Sequence, residues 1–281
     1  MALVVAIIAQ GSMGSGVAAR LVGHGVRVLT SLAGRSAASA GRAEAAGMRA
    51  VSDAEVAAAD MILSIVPPGE ALPLARRFAP LLRATSRKPL YADCNAVSPR
   101  TVQAIAEVIA ATGAPFVDAG IIGGPPKPEG KGPAFYASGA EAGRLAVLRD
   151  FGLDVPLLDG PIGAASALKM SYAGITKGLT ALGSVMLLAA TRGGAAAALQ
   201  RELAQSQPAL LAWLTRQVPG MYPKAYRWVA EMQEIADFAG DDPAGRRIFE
   251  GAAELYQRLA ADVAGEQAEV GALSAFLAPK S

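Results

Sequence analysis

Through its first 160 residues the chain alternates short apolar runs with alanine-rich stretches whose apolar positions recur at helical spacing. Leu3–Ile8 reads as a first strand and Gly11–Gly23 as the helix after it. Val26–Thr30 predicts a second strand, followed by a helix over Ser36–Ala46. Arg49–Val51 is a weak third strand, after which Asp53 can cap a short helix. Met61–Val66 predicts the fourth strand, and the next helix begins near Pro67-Pro68, where proline is tolerated in a first turn. Leu90–Cys94 is the fifth strand, Ser98 with Pro99 opens another helix, and Phe116–Ala119 is the sixth strand. Strand and helix alternating at this spacing predict a doubly wound, mostly parallel sheet covered by helices on both faces.

Beyond Ala119 the pattern changes. Gly120–Gly132 reads as a Gly/Pro loop, Ala134–Ser138 as one more strand, Glu141–Phe151 as helix, and Val155–Leu158 closes the first half. From Pro161 onward no segment has strand character. Ile162 to about Arg192 predicts one helix of roughly 30 residues, about 45 Å long at 1.5 Å per residue. Helical segments follow, interrupted at Gly193-Gly194, Pro208, Pro219-Gly220, Gly240 with Pro243, and Gly265. The expectation is α/β then all-α: an α/β domain over residues 1–160 and a helical domain over 161–281, joined by the long helix.

Composition narrows the chemistry. Lys and Arg number 26 against 24 Asp and Glu, and a net charge of +2 offers no basic footprint for nucleic acid. A single cysteine, Cys94, excludes an intrachain disulfide and a multi-cysteine metal site; a single histidine, His24, excludes mechanisms needing two. No metal is expected. The apolar N-terminal run has no basic segment before it and leads into a glycine turn rather than a cleavage site. The most apolar later stretch, Leu179–Ala190, falls short of the roughly 20 residues a membrane span needs. A cytoplasmic protein with neither membrane nor nucleic acid as partner is expected.

Candidate chemistry begins directly after the first strand, at Ala9-Gln10-Gly11-Ser12-Met13-Gly14-Ser15-Gly16. Apart from Ala9 this follows G-x-G-x-x-G, in which glycines let the backbone approach a pyrophosphate resting on a helix N-terminus. Such a turn is often an ordinary strand-to-helix connection. Its place on the first strand of a strand–helix–strand series points instead to a dinucleotide and a Rossmann-type domain. An NAD enzyme carries an acid for the ribose diol at the end of its second strand. Here that strand leads to Arg35-Ser36, and the first acid is Glu44. Arg35 and Ser36 can hold a 2′-phosphate by charge-assisted bonds, which predicts NADP. The plain alternative is a solvated Arg at a helix start, where the helix dipole disfavours it.

Residues 9–14 look like the Gly-Leu-Gly-x-Met-Gly opening of the β-hydroxyacid dehydrogenase and 6-phosphogluconate dehydrogenase superfamily. Val117-Asp118-Ala119-Gly120-Ile121-Ile122-Gly123-Gly124 resembles that family's substrate loop, Asp-Ala-Pro-Val-Ser-Gly-Gly, with Gly120 for Pro and Ile122 for Ser. Asp93-Cys94-Asn95-Ala96-Val97-Ser98-Pro99 is similar to its Asp-x-Ser-Thr-x-Ser-Pro stretch. Lys169 falls where its catalytic lysine opens Lys-x-x-Asn-Asn, with Tyr172-Ala173 replacing the Asn pair. The helical remainder resembles the phosphogluconate-dehydrogenase-like branch with a short C-terminal domain. The resemblance implies an NADP-dependent oxidoreductase that moves hydride between nicotinamide and a small hydroxy acid or its carbonyl counterpart, with Lys169 as general acid/base. The expected cofactor contacts are Gln10, Gly11, Ser12, Met13, Gly14, Arg35, Ser36, Val66, Pro67 and Asn95. Substrate contacts are expected at Asn95, Gly123, Gly124 and Tyr172.

On a helix Tyr172, Ala173 and Thr176 share a face with Lys169, while Lys177 lies about 80° round. If that face meets the mouth of the sheet, the ammonium can protonate a carbonyl oxygen as hydride arrives. Two other readings stay open. The missing Asn pair suits an imine or other carbonyl reductase on the same scaffold, and a non-catalytic NADP-binding sensor needs Gly11–Gly14 without Lys169. A short-chain dehydrogenase is disfavoured, because Tyr172 is followed four residues later by Thr176 and not by Lys.

The remaining candidates read as structural. His24 sits in a surface turn, Cys94 is a buried bystander, and Lys127 and Lys131 are loop charges that aid solubility. Arg227, Glu231 and Glu234, at i, i+4 and i+7, read as a solvated ion-pair stripe. The long apolar helix predicts a homodimer, since the second half has little chain left to cover its far face.

Overall fold

The computed structural model describes residues 3–127 and 129–278, in two compact units that divide between Met170 and Ser171. The first is built on one sheet: β1 (Val4–Ile8), β2 (Arg27–Thr30), β3 (Arg49–Ala50), β4 (Met61–Ser64), β5 (Leu90–Asp93), β6 (Phe116–Ile122) and β7 (Ala134–Ser138). Their order is β3-β2-β1-β4-β5-β6-β7. Every neighbouring pair is parallel except β6 and β7. The chain winds outward from β1 to β3 and then resumes at β4 on the other side of β1. That reversal makes the crevice between β1 and β4 the switch point at which such sheets bind ligands.

β1 is buried throughout, as a central strand covered on both faces must be. Alternate residues feed two cores, Val5, Ile7 and Leu63 on one face and Ala6, Ile8 and Ile62 on the other. The covering helices are α1 (Ser12–Gly23), α2 (Ala37–Ala45), α3 (Asp53–Ala57), α4 (Pro68–Ala84), α5 (Pro99–Ala110) and α6 (Ala142–Leu145), the last running into a 3-10 turn at Ala146–Phe151. Ser36, Ser52 and Ser98 cap α2, α3 and α5 through their hydroxyls. The cap of α3 is therefore Ser52 and not Asp53, because Glu55 closes a reciprocal capping box with it. β6 also continues past Ala119 to Ile122, where a loop was expected. β7 pairs with it residue by residue, from Asp118 with Ser138 to Ile122 with Ala134, and this ladder carries the strand through Gly120.

The second unit is helical: most of α7 (Ala164–Arg192), then α8 (Ala196–Ser206), α9 (Pro208–Met221), α10 (Ala225–Phe238), α11 (Pro243–Ala264) and α12 (Ala268–Leu277). α9 runs through Pro219-Gly220 and breaks only at the 3-10 turn Tyr222–Lys224, since Val218 and Met221 are buried in its last turn. Gly174 and Gly178 admit the ring of Phe249, which a Cβ at either position would meet at 3.2–3.3 Å. Trp228 meets Tyr256 edge-on at 5.2 Å. Lys177 lies 4.8 Å above the Trp228 ring and pairs with Glu231. Both side chains are largely buried, so Glu231 belongs to an interior ion pair and not to a solvated stripe with Arg227.

By length and composition α7 is apolar enough to cross a membrane, as Leu179–Ala190 alone is not. Along it Met170, Ala173, Ala181 and Leu187 are buried. Tyr172, Ile175, Leu179, Leu182 and Met186 are 45–65% exposed on another face.

Candidate functional site

Gly11, the N-cap of α1, offers no side-chain acceptor, whereas α2, α3 and α5 each receive a serine. The amides opening α1 stand at an exposed turn, Gly11 and Ser12 facing solvent, and a helix end in this state binds anions. At Gly14 a Cβ would collide with the carbonyl of Ala9, so only glycine closes this turn. Met13 packs against the core beneath. The cradle fits the pyrophosphate of a dinucleotide.

The Gln10 side chain is buried, and Nε2 donates to Thr30 Oγ1 and to the Ser31 carbonyl at 2.9 Å. The amide orientation is determined, because Thr30 Oγ1 gives its own hydrogen to the Ile7 carbonyl at 2.8 Å. Oε1 finds no donor among the described residues. Gln10 thus ties the glycine turn to the end of β2 through its amide nitrogen and leaves only Oε1 unengaged among the described residues.

Ser36 caps α2 by accepting from the Ser39 amide at 3.3 Å and shares a hydrogen bond with Ser39 Oγ at 3.2 Å. Arg35 stands exposed just before it. Arg42, which sequence reasoning passed over, folds back to the same place. Its Nε donates to the Gln10 carbonyl at 2.7 Å and its Nη2 to Ser39 Oγ at 3.0 Å.

Asn95 is a correction. It is buried, its Oδ1 accepts from the Val66 amide at 2.6 Å, and its Nδ2 donates to Ser64 Oγ at 2.8 Å and Asp93 Oδ2 at 2.7 Å. Both ends of the carboxamide are engaged inside the fold, so Asn95 braces the ends of β4 and β5 and presents no group to cofactor or substrate. The Val66 amide is taken by that brace, and Pro67 is the exposed N-cap of α4. Cys94 is buried, and burial with the neighbouring Asp93 and Asp118 pushes its thiol well up, leaving it protonated and inert.

The strand ends carry a buried polar row, since Ser64, Asp93, Asp118 and Ser138 are register partners across β4 to β7. Asp118 holds the start of α7. Its Oδ2 accepts from the Gly163 amide (2.9 Å), the Ser166 amide (3.0 Å) and Ser138 Oγ (3.1 Å), and its Oδ1 from Ser166 Oγ (2.8 Å). Ser138 Oγ accepts in turn from the Ala165 amide at 3.0 Å. Burial holds the Asp118 carboxyl above its ordinary value, while these donors pull it back down. This cap draws the first turns of α7 into the sheet unit, which is why the units divide at Met170 and not at residue 160.

Gly120 completes the seating. A Cβ there would stand 2.7 Å from the Ala165 carbonyl oxygen and 3.1 Å from Lys169 Cβ, so α7 rests on bare strand backbone with the stem of Lys169 against it. Lys169 is half-buried. Just past β6, Gly123 takes φ +126°, and a Cβ on it would lie 2.9 Å from Pro133 Cα. Lys169 lies over β6 at Gly120, and the exposed Gly123-Gly124 turn follows just past the end of that strand. The glycine turn after β1 is on the same edge, three strands or roughly 14 Å away. Tyr172 stands a turn further along α7, half exposed. His24 is exposed and bonded through Nδ1 to the Arg20 carbonyl.

The loop after Gly124 leans on α1. Arg20 Nη2 donates to the carbonyls of Lys127 (2.6 Å) and Gly130 (3.1 Å), and Gly16 leaves room for Pro126, which a Cβ would meet at 3.0 Å. Lys131 pairs with Asp154 at the surface, at 3.3 Å.

Comparison with known proteins agrees with this geometry. Residues 4–149 match the NAD binding domain of 6-phosphogluconate dehydrogenase, and residues 190–259 match a domain of unknown function, DUF1932. A 28.5 kDa protein of Methanothermus fervidus, described as uncharacterized and encoded in the 5′ region of 7S RNA, is 31% identical over 159 residues. That match covers 56% of this chain and only 59% of the relative's length. Among solved structures, the conserved protein MTH1747, of unknown function and structurally similar to 3-hydroxyacid dehydrogenases, is 30% identical with a TM-score of 0.68. The alignment covers 92% of this chain and 99% of that one. The Mycobacterium tuberculosis 3-hydroxyisobutyrate dehydrogenase, solved with L-serine, shares the fold at 22% identity and a TM-score of 0.73, over 97% and 99% of the two chains. With its glycine turn, its switch-point crevice and more than half its length matched, the chain belongs to the family built on the NAD binding domain of 6-phosphogluconate dehydrogenase.

Proposed function

We propose that the protein is a cytoplasmic, NADP-dependent oxidoreductase interconverting a small hydroxy acid and its carbonyl counterpart. The observation that carries this reading is Lys169, seated on β6 by the Asp118 cap and the Gly120 contact, on the strand that leads into the Gly123-Gly124 turn. Bound NADPH supplies hydride. In the reductive direction the Lys169 ammonium polarises the substrate carbonyl and gives its oxygen a proton; in the oxidative direction neutral Lys169 removes the hydroxyl proton. The amides of Gly123 and Gly124 are suited to a substrate carboxylate. NADPH oxidation across a panel of hydroxy acids, semialdehydes and imines tests the proposal. Turnover of imines alone would select the imine reductase reading, and binding without any turnover would select the sensor.

The NADP preference rests on exposed Arg35, on Ser36, and on the lack of an acid between β2 and Glu44. Arg35→Ala is expected to weaken NADPH binding by roughly 10- to 150-fold, the loss of one charge-assisted pair, and to leave NADH binding unchanged. Titration of both cofactors reads this directly. Equal affinity of the wild type for the two would sink the NADP assignment.

We also propose that the chain is a homodimer joined along α7. Tyr172, Ile175, Leu179, Leu182 and Met186 are exposed and spaced three and four residues apart in turn, the repeat by which two helices interlock. A symmetric copy of the same stripe is the partner this pattern suits. Light scattering of the wild type at micromolar concentration is expected to give twice the chain mass, and Leu182→Glu to give the monomer. A monomeric wild type contradicts the proposal.

A further inference from the structure

The geometry points to Arg42 as a second cation for the 2′-phosphate of the adenosine ribose, held ready by the glycine turn itself. The inference rests on the NADP reading above and adds to it a residue from the second turn of α2. Arg42 folds back toward the N-terminal end of its own helix, where its Nε donates to the Gln10 carbonyl and its Nη2 to Ser39 Oγ. A guanidinium carries five N–H donors in a plane. The two bonds fix that plane and leave the Nη1 edge for a ligand. A cation at this end of a helix is opposed by the dipole unless an anion shares the position. Arg35, Ser36 and Ser39 stand at the same end, the two serine hydroxyls 3.2 Å apart. Together they make a cluster of donors at the corner where β2 ends.

Gln10 marks the same corner independently. It brings a neutral amide to the end of β2, where an NAD-binding fold places a carboxylate for the ribose diol. A carboxylate repels a 2′-phosphate and an amide does not. Its Oε1 is buried with no donor among the described residues, an acceptor that a ribose hydroxyl satisfies. The glycine turn that cradles the pyrophosphate therefore also aims Arg42 through its Gln10 carbonyl. An arginine already oriented loses little freedom when it takes a phosphate.

The test is calorimetric titration of the full chain with NADPH, NADH, 2′,5′-ADP and 5′-AMP. The proteins are wild type, Arg35→Ala, Arg42→Ala and Arg42→Gln; the Gln variant deletes the charge but keeps a donor for the Gln10 carbonyl. Both Arg42 variants are expected to bind NADPH and 2′,5′-ADP roughly 10- to 100-fold more weakly, with NADH and 5′-AMP within about threefold of wild type. Equal losses for NADH and NADPH in Arg42→Gln would reduce Arg42 to a brace of the turn and overturn the inference. Unchanged NADPH affinity in both Arg42 variants would overturn it as well, even while Arg35→Ala and the wild-type preference upheld the NADP reading. A wild type indifferent to the 2′-phosphate would overturn that reading itself.

Discussion

Lys169→Met is expected to lower turnover by about 10²–10⁴-fold, or about 3–5 kcal/mol of barrier, with NADPH affinity and melting temperature almost unmoved. Methionine keeps the length and apolar stem of the side chain. The bonds that seat α7 reach backbone and serine atoms of residues 163–166, and the packing against Gly120 involves the Cβ of Lys169, which methionine keeps. Only the ammonium is lost. Lys177 is unsuitable as a control, since it closes the interior pair with Glu231 over Trp228 and its loss is felt in stability. Exposed Lys224→Met serves better. Near-normal turnover in Lys169→Met would remove the acid/base role and direct attention to Tyr172.

Asp118→Ala is expected to destabilise the sheet unit by about 3–5 kcal/mol, since two amides and two hydroxyls lose a shared buried acceptor. In a domain of this size that lowers the melting temperature by roughly 6–20 °C, which calorimetry resolves. The pH dependence has a definite sign. Burial places the folded carboxyl above the ordinary 3.8, so between the two values the native state holds a proton that the unfolded chain has released. The contribution of Asp118 to stability therefore falls as pH rises through that window, and the alanine variant lacks this slope. A melting temperature within a few degrees of wild type would mean that the cap does not anchor α7.

Features written within about ten residues are legible in the sequence. The strand–helix alternation, the Gly11–Gly14 turn and the serine caps at 36 and 98 all depend on neighbours close along the chain. Features that depend on where a side chain is carried by the fold are not. Asn95 reads as a polar turn residue open to ligand, but Val66, 29 positions away, takes its oxygen. Arg42 reaches the glycine turn across 32 positions, and Glu231 meets Lys177 across 54. Gly120 reads as the start of a loop, because nothing local shows that β7 returns to pair beside it. The unit boundary shifts by ten residues for a similar reason: Asp118 reaches 45 and 48 positions ahead to bind Gly163 and Ser166.

Gly120 carries a consequence for anyone engineering this protein. Replacing glycines is a common route to a stiffer, more heat-resistant chain. At this position the added methyl would stand 2.7 Å from a carbonyl oxygen, with no flexible side chain to absorb it, and the near end of α7 would have to lift. A shift of about 1 Å in a reacting group can cost 10²-fold in rate. Gly120 is therefore a glycine to leave in place, since the methyl would disturb both the seat of α7 and the position of Lys169. The residue brings no side chain of its own, yet its thinness sets the gauge between β6 and Lys169.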